Sequence, residues 1–413
     1  MAHAHKKPIL GLSTIRSAVF LEHFGDYERQ LATAGYCDIA ARLHLHSVAH
    51  FGVWLEREGV PLEAIDDGTV AEFSGHRGHC RCTGTSRNRD RHVDSCVCAF
   101  VRYLRSCSVI PTARARRADS LVCKYLQWMR TERAVVATTL VAYEQHVTGL
   151  VDFLGDNPQT YTAQGLRAFV REKYGHYGRN SIRMVLAALR MFLRYLAIHG
   201  QCRPGLDQAL VAPASWKHSP LPRGLAPDEV QRVLAACPLT ARGIRDRAVL
   251  LLLIRLGLRA GDVARLMMSD LDFRQAAIAV CGKGCREVRL PLPQDVGDAL
   301  LEYLRVGRPS SESEHVFLRS MAPHTPFVAQ QAGHAVTHIA RSALKRAGVQ
   351  APTPGAHVFR HTAACQMLRQ GVDLEDIAGV LRHRSVETTA LYAKVDTRLL
   401  EQVAQPWPEA VPC

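Results

Sequence analysis

Apolar residues recur at three- and four-residue intervals along most of the chain, as in Val185, Leu186, Leu189, Phe192, Leu193 and Leu196, with little two-residue alternation. That period predicts helices. One tract reads otherwise: at residues 277–292, IAV and REVRL flank the turn Cys281-Gly282-Lys283-Gly284-Cys285, two β-like runs that predict a hairpin. Residues 245–258 (RDRAVLLLLIRLGL) read as a buried helix, and the acidic start Pro227-Asp228-Glu229 opens another before Val230, Val233 and Leu234. From residue 296 onward the pattern is again mainly helical.

The helical pattern repeats. Residues 100–104 (FVRYL) match 192–196 (FLRYL), residues 48–55 (VAHFGVWL) match 147–154 (VTGLVDFL), and residues 70–73 match 166–169. Three matches in one order imply two copies of one helical unit. The offsets fall from 99 to 96 to 92 residues, so the first copy carries extra residues before its last helix. These fall in a Cys-rich loop. A basic stretch, 111–117 (PTARARR), joins the copies, and Pro204, Pro213, Pro220 and Pro222 block continuous helix after the second. The expected organisation is a helical unit at 1–113, a second at 114–205, a linker at 206–224, a further domain at 225–396 and a tail at 397–413. The tail's Leu399, Leu400, Val403 and Trp407 need cover, which predicts docking onto a neighbouring copy.

Composition sharpens this. The 413 residues suffice for two to four domains, and no stretch approaches the ~20 apolar residues of a membrane span. The formal charge is +14, and the 52 basic residues include only eight lysines. Arginine forks suit phosphate, so a polyanion is the first partner to consider. The charge is uneven: residues 1–112 hold 13 basic against 12 acidic residues, and the remainder 39 against 26. Thirteen cysteines follow a start without a signal-like apolar core, so reduced thiols in a cytosol are expected.

The chemistry-bearing residues cluster after residue 221. LGLRAGDVARL (256–266) carries Arg259 and Asp262, the hairpin turn carries Lys283, HVFRH (357–361) carries His357 and Arg360, and LRHRS (381–385) carries His383 ahead of Tyr392. Cleaving a phosphodiester needs an attacking oxygen, neutralisation of charge on the nonbridging oxygens, and a proton for the leaving oxygen. Arg259 and Arg360 can each present a bidentate fork. His357 and Arg360 share a helical face at i, i+3. Lys283, flanked by glycines, can serve as general acid, His383 as a hydrogen-bond donor to a nonbridging oxygen, and Tyr392 as nucleophile. No metal or other cofactor is then required for the chemistry.

The order Arg, Lys, His-x-x-Arg, His, Tyr resembles the tyrosine recombinase (phage integrase) family, most closely over residues 221–395. The resemblance implies a mainly α fold with a small antiparallel β-sheet in the catalytic domain, preceded here by two tandem helical SAM-like core-binding units. It implies a site-specific DNA recombinase working through a covalent 3′-phosphotyrosine, for integration, excision or transposition of a mobile element. Its partners would be double-stranded DNA carrying recombination sites and further copies of the chain, a dimer on each site and a tetramer in the synapse, in a cytoplasmic, nucleoid-associated setting. Asp262 matches an acidic residue that supports the arginines. Two positions depart from the family: Arg382 stands where Gly is common, and Asp262 where Glu is. The rival readings are a non-cleaving DNA-binding protein of the same fold and a type IB topoisomerase-like nicking-closing enzyme.

In the family, the helical unit before the catalytic domain clamps the duplex. Arg114, Arg116, Arg117, Arg171, Lys173, Arg179, Arg183 and Arg190 are the expected DNA contacts here. In the Cys-rich loop, Cys80, Cys82, His92 and Cys96 form a candidate structural zinc set, although the spacing is not that of a standard finger. Cys96 and Cys98, at i and i+2 of a helical pattern, face apart.

Overall fold

The computed structural model describes residues 9, 11–76, 80, 82, 92–110, 120–213, 224–281, 287–329, 333–351 and 353–382. Lys283, His383, Tyr392, Arg114, Arg116, Arg117, the joining stretch and the tail lie outside them. The chain divides into two compact units, one of residues up to Lys217 apart from Ala34–Tyr36, the other comprising those three residues and everything from His218. Both helical copies fall within the first unit, and the second has an apolar core made of residues 121–212.

The first copy is built from α1 (Ala18–Thr33), α2 (Asp38–Glu58), α3 (Asp67–His76) and α4 (His92–Ser106). In α4 the positions at helical spacing, Val93, Cys96, Val97, Phe100, Val101 and Leu104, are all buried, whereas Cys98 and Arg102 are exposed. Helix α2 ends at Gly59, whose φ of 67° closes a left-handed cap. The second copy repeats this with α5 (Leu121–Thr131), α6 (Ala137–Leu154), α7 (Ala163–Tyr174) and α8 (Arg179–Ile198). Side-chain caps start two of these: Ser120 accepts from the Cys123 amide and Thr162 from the Gly165 amide.

All three sequence matches fall on corresponding helices, α2 with α6, α3 with α7 and α4 with α8. The structure adds the fourth. Tyr27 on α1 packs edge-on against Phe100 at 5.2 Å and 68°, and Tyr125 on α5 meets Phe192 at 5.1 Å and 69°. Each tyrosine also contacts the next ring of the FxRYL segment, Tyr103 or Tyr195, at 5.4 Å. No sequence match marked α1 and α5 because little beyond this aromatic corner is shared.

The boundary after the second copy shifts. Residues Leu206–Ala209 form a 3₁₀ turn whose Leu206 and Leu210 neighbour join the apolar core of α5 to α8, so the copy extends past residue 205 to at least 212. Proline punctuates this segment without detaching it, because half-buried Leu206 and buried Leu210 still pack against that core.

The second unit has α10 (Ala241–Arg255) at its centre. Residues 248–254 are buried on every side, as the unbroken apolar run requires. Around it stand α9 (Pro227–Ala235), α11 (Ala260–Arg265), α12 (Gln294–Glu302), α13 (His334–Arg346), α14 (Ala356–Arg369) and α15 (Leu374–Leu381). The hairpin is present: β2 (Ala277–Cys281) pairs antiparallel with β3 (Glu287–Pro291), and β1 (Leu271–Asp272) adds a third strand beside β2. Ile278 opposite Leu290 turns inward and Arg289 outward, so the alternation sets the buried face. Residues 308–329 are less helical than expected, with isolated bridges Met267 to His315 and Leu318 to Pro326. Pro309, Pro323 and Pro326 interrupt any helical period there.

A buried ion pair ties this unit together. Arg245 donates to Asp246 at 2.7 Å, to the Leu318 carbonyl and to Ser320, while stacking over Phe327 at 5.2 Å. Both charges are buried just before the apolar α10 run, and Arg242 and Arg346, at 4.0 and 3.9 Å, add positive charge around Asp246.

Candidate active site

The ends of α10 and α15 and the starts of α11 and α14 meet at one place. Arg259 is the residue preceding α11, with extended backbone, and Asp262 lies in the first turn of that helix. His357 and Arg360 lie one turn apart at the start of α14. Arg382 follows α15 in the left-handed conformation, φ 54°.

Backbone carbonyls aim the two arginines. Arg360, 3% exposed, donates through Nη1 to the Gly257 carbonyl at 2.5 Å and through Nη2 to the Leu381 carbonyl. Arg259 donates through Nη2 to the Arg382 carbonyl at 2.9 Å. Successive carbonyls at the end of α15 therefore hold both guanidinium planes. This is the local use of C-terminal helix carbonyls, which have no partner within their own helix.

Gly257 makes the approach feasible. Its φ is +57°, and a Cβ there would lie 2.5 Å from Leu381 Cδ2 and 3.3 Å from Ala363 Cβ. The sequence signal for this glycine is its place in Leu-Gly-Leu-Arg, two residues before Arg259. A further tie fixes α14: Thr362 Oγ1 accepts from the Leu225 amide at 2.9 Å and donates to the Val358 carbonyl.

The two departures from the family pattern contact each other. Arg382 Nη2 donates to Asp262 Oδ2 at 2.6 Å, with side-chain exposures of 7% and 2%. Asp262 also accepts from Arg265 at 2.9 Å. Asp262 thus orients Arg382, whose carbonyl accepts from Arg259, while the Asp262 amide donates to the Arg259 carbonyl at 2.9 Å.

His357 keeps contact with solvent, while surrounding protein and then the charges of Arg360 and Arg259 lower its pKa. That both charges act on it puts the three groups within electrostatic reach. His361, its ring 4.3 Å from His357, is pushed down to about 4 by burial, His357 and Arg360. The sequence signal for His361 is its i, i+4 position beside His357. Of the expected set, the structure brings together Arg259, Asp262, His357 and Arg360. Lys283, His383 and Tyr392 lie outside the described residues.

The expected DNA-contact residues divide. Arg171, Lys173 and Arg183 are exposed on α7 and α8. Arg190 turns inward instead, its Nε donating to the Leu210 carbonyl at 2.9 Å, and so fastens the 3₁₀ turn to α8. The reason is that the extended copy supplies an acceptor where an open surface was expected. Beside α10 and α13 a cleft of about 640 Å³ is lined by Arg242, Arg245, Arg319, His334, His338 and Arg341, apart from the arginine pair just described.

Comparison with known proteins places this arrangement. The Phage integrase family profile matches residues 223–398, and the phage integrase N-terminal SAM-like domain matches residues 122–200. A Sinorhizobium fredii protein named as an integrase/recombinase, y4rA, is 34% identical over 402 residues, covering 95% of this chain and 94% of its own. Its alignment takes in the first helical copy as well. The tyrosine recombinase XerD of Listeria innocua is 30% identical over 288 residues, 66% of this chain and 93% of its own. The solved lambda integrase tetramer bound to a Holliday junction has the same fold at 17% identity and a TM-score of 0.51, covering 74% of this chain and 88% of its own. Motif order, the arginine pair and a full-length relative agree, and the chain belongs to the phage integrase family, the tyrosine recombinases.

Proposed function

We propose that this recombinase cleaves and rejoins double-stranded DNA at specific sites through a covalent 3′-phosphotyrosine on Tyr392, moving a mobile element by integration, excision or transposition. The observation that carries it is the shared fixing of Arg259 and Arg360 by the Leu381 and Arg382 carbonyls. Two guanidinium groups held in place before substrate arrives need no reorganisation as charge develops on the phosphate. His357, kept neutral beside them, has an unprotonated ring nitrogen suited to take a proton from the attacking hydroxyl.

In this reading Tyr392 attacks phosphorus, forming the O–P bond as the bond to the 5′-oxygen breaks. Lys283 gives that oxygen its proton, and His383 donates to a nonbridging oxygen. Energy of the cleaved bond is kept in the phosphotyrosine, so rejoining needs no cofactor. Exposed Arg171, Lys173 and Arg183 would hold backbone phosphates. Assembly would be a dimer on each site and a tetramer at synapsis, as the solved relative's Holliday-junction complex suggests. No described helix is long and apolar enough to cross a membrane, and a cytoplasmic, nucleoid-associated place suits a DNA substrate.

The test traps adducts on a nicked DNA carrying the element's own end. The native chain should become covalently attached to the 3′ phosphate, and Tyr392→Phe should not. Adducts persisting in Tyr392→Phe, or none from the native chain on its true site, would sink the proposal. Relaxation of supercoils without site preference would favour a topoisomerase instead.

A further inference from the structure

The extra residues of the first copy bring four metal-ligating side chains together. His50 lies within α2, His76 is the last residue of α3, and Cys80 and Cys82 follow it. One ligand atom from each lies within 4.8 Å of all the others. His50 Nε2 is 3.1 Å from Cys80 Sγ, and His76 Nε2 is 3.3 Å from Cys82 Sγ. A tetrahedral zinc with its usual bond lengths separates neighbouring ligand atoms by about 3.4–3.8 Å, so small side-chain shifts would admit the ion.

We propose that His50, His76, Cys80 and Cys82 form a structural zinc site of the first helical unit. Cys96, expected to contribute, is buried in the core on α4, and His92 lies exposed at the start of that helix; neither joins the cluster. Two thiolates and two imidazoles suit zinc by ligand type. Binding converts two thiols to thiolates and releases two protons, leaving the site neutral overall.

The surroundings fit such a site. The Cys82 amide points at Cys80 Sγ at 3.4 Å, a donor suited to a metal-bound thiolate, and Arg57 Nη1 lies 3.9 Å from Cys82 Sγ. On the apolar side, Phe73 packs edge-on against His50 at 5.2 Å, and Trp54 lies against His76 at 6.2 Å. His76 Nδ1 now lies 3.4 Å from Arg57 Nη2. With Nε2 on the metal, Nδ1 carries its proton, so Arg57 would stay through its charge on Cys82.

The second copy has no counterpart. At the repeat offsets of 99 and 96 residues, Gly149 and Glu172 stand opposite His50 and His76. The site therefore belongs to the copy with the insertion, where the ion would tie α2, the end of α3 and the Cys80–Cys82 segment together. The metal would act on folding and not on strand transfer.

The full chain, purified with a non-thiol reductant and no chelator, should carry one zinc by elemental analysis. Cobalt exchanged into it should give intense tetrahedral d–d bands with sulfur-to-cobalt charge transfer. Cys80→Ser with Cys82→Ser should bind none, while Cys96→Ser and Cys98→Ser keep full loading. Cys82→Ser alone should keep a weaker tetrahedral site with reduced charge transfer, a readout independent of whether the double variant folds. A native chain that neither carries nor takes up zinc, loading lost with Cys96 but kept without Cys80 and Cys82, or an octahedral cobalt spectrum would overturn the site.

Discussion

Arg382 and Asp262, 120 residues apart, form a buried ion pair at 2.6 Å beside the two arginines assigned to phosphate. The pair sets the position of the Arg382 carbonyl that Arg259 donates to. Each residue alone looks like a deviation from the family pattern, and together they are complementary. Arg382→Ala should destabilise the second unit by about 3 kcal/mol, the low end for a broken buried pair because Arg265 still serves Asp262. Arg382→Gly should recover about 1 kcal/mol of that, since glycine removes the cost of a left-handed side-chain-bearing residue. Urea unfolding would check both, and equal stability of the two variants would refute the backbone part of the argument.

Gly257→Ala would push a methyl against Leu381 and move the carbonyl that Arg360 donates to. We expect a loss of about 2 kcal/mol in stability from the positive φ and the contact. Cleavage should fall at least about tenfold even where the protein stays folded, because a misplaced guanidinium forfeits preorganised charge. Single-turnover cleavage at saturating DNA is the measurement. An unchanged rate would mean that the Gly257 carbonyl does not position Arg360.

The histidine pair predicts two pH dependences. His357 has its pKa lowered below the ordinary 6.5, so its neutral form persists into mild acid. The acid limb of the cleavage rate should therefore fall below pH 6.5 and vanish in His357→Gln. A limb above pH 6.5 would contradict the role given to His357.

His361 concerns stability. The unfolded chain takes up its proton near 6.5, whereas folded His361 resists protonation down to about 4. Stability from this residue is complete above pH 6.5 and is lost as pH falls toward 4. Denaturant titrations across that window should show a shallower acid loss in His361→Gln than in the native chain; parallel curves would refute it.

Arg190 and its exposed neighbours should separate in one experiment. Arg190→Ala removes a charged donor from the Leu210 carbonyl and should cost about 1.5–3 kcal/mol, with the salt dependence of DNA binding unchanged. Arg171→Ala, Lys173→Ala and Arg183→Ala should each leave stability nearly intact and reduce the slope of log affinity against log salt by about 0.9. A reduced slope in Arg190→Ala would return that residue to the DNA surface.

The sequence by itself determined the helical period, the hairpin, the duplicated unit and the order of the chemical motifs. These are properties of spacing along the chain, and spacing is what selects helix, strand and turn. Arg259, His357 and Arg360 were legible for the same reason, since their types and intervals carry the chemistry. Tertiary structure alone decided which distant polar groups meet. It paired Asp262 with Arg382, set the Gly257 and Leu381 carbonyls on Arg360, turned Arg190 inward, and replaced His92 and Cys96 with His50 and His76 beside Cys80 and Cys82. Such meetings depend on how helices pack across tens to more than a hundred residues. Apolar periodicity specifies which face is buried, but it does not specify which polar groups the burial brings into contact.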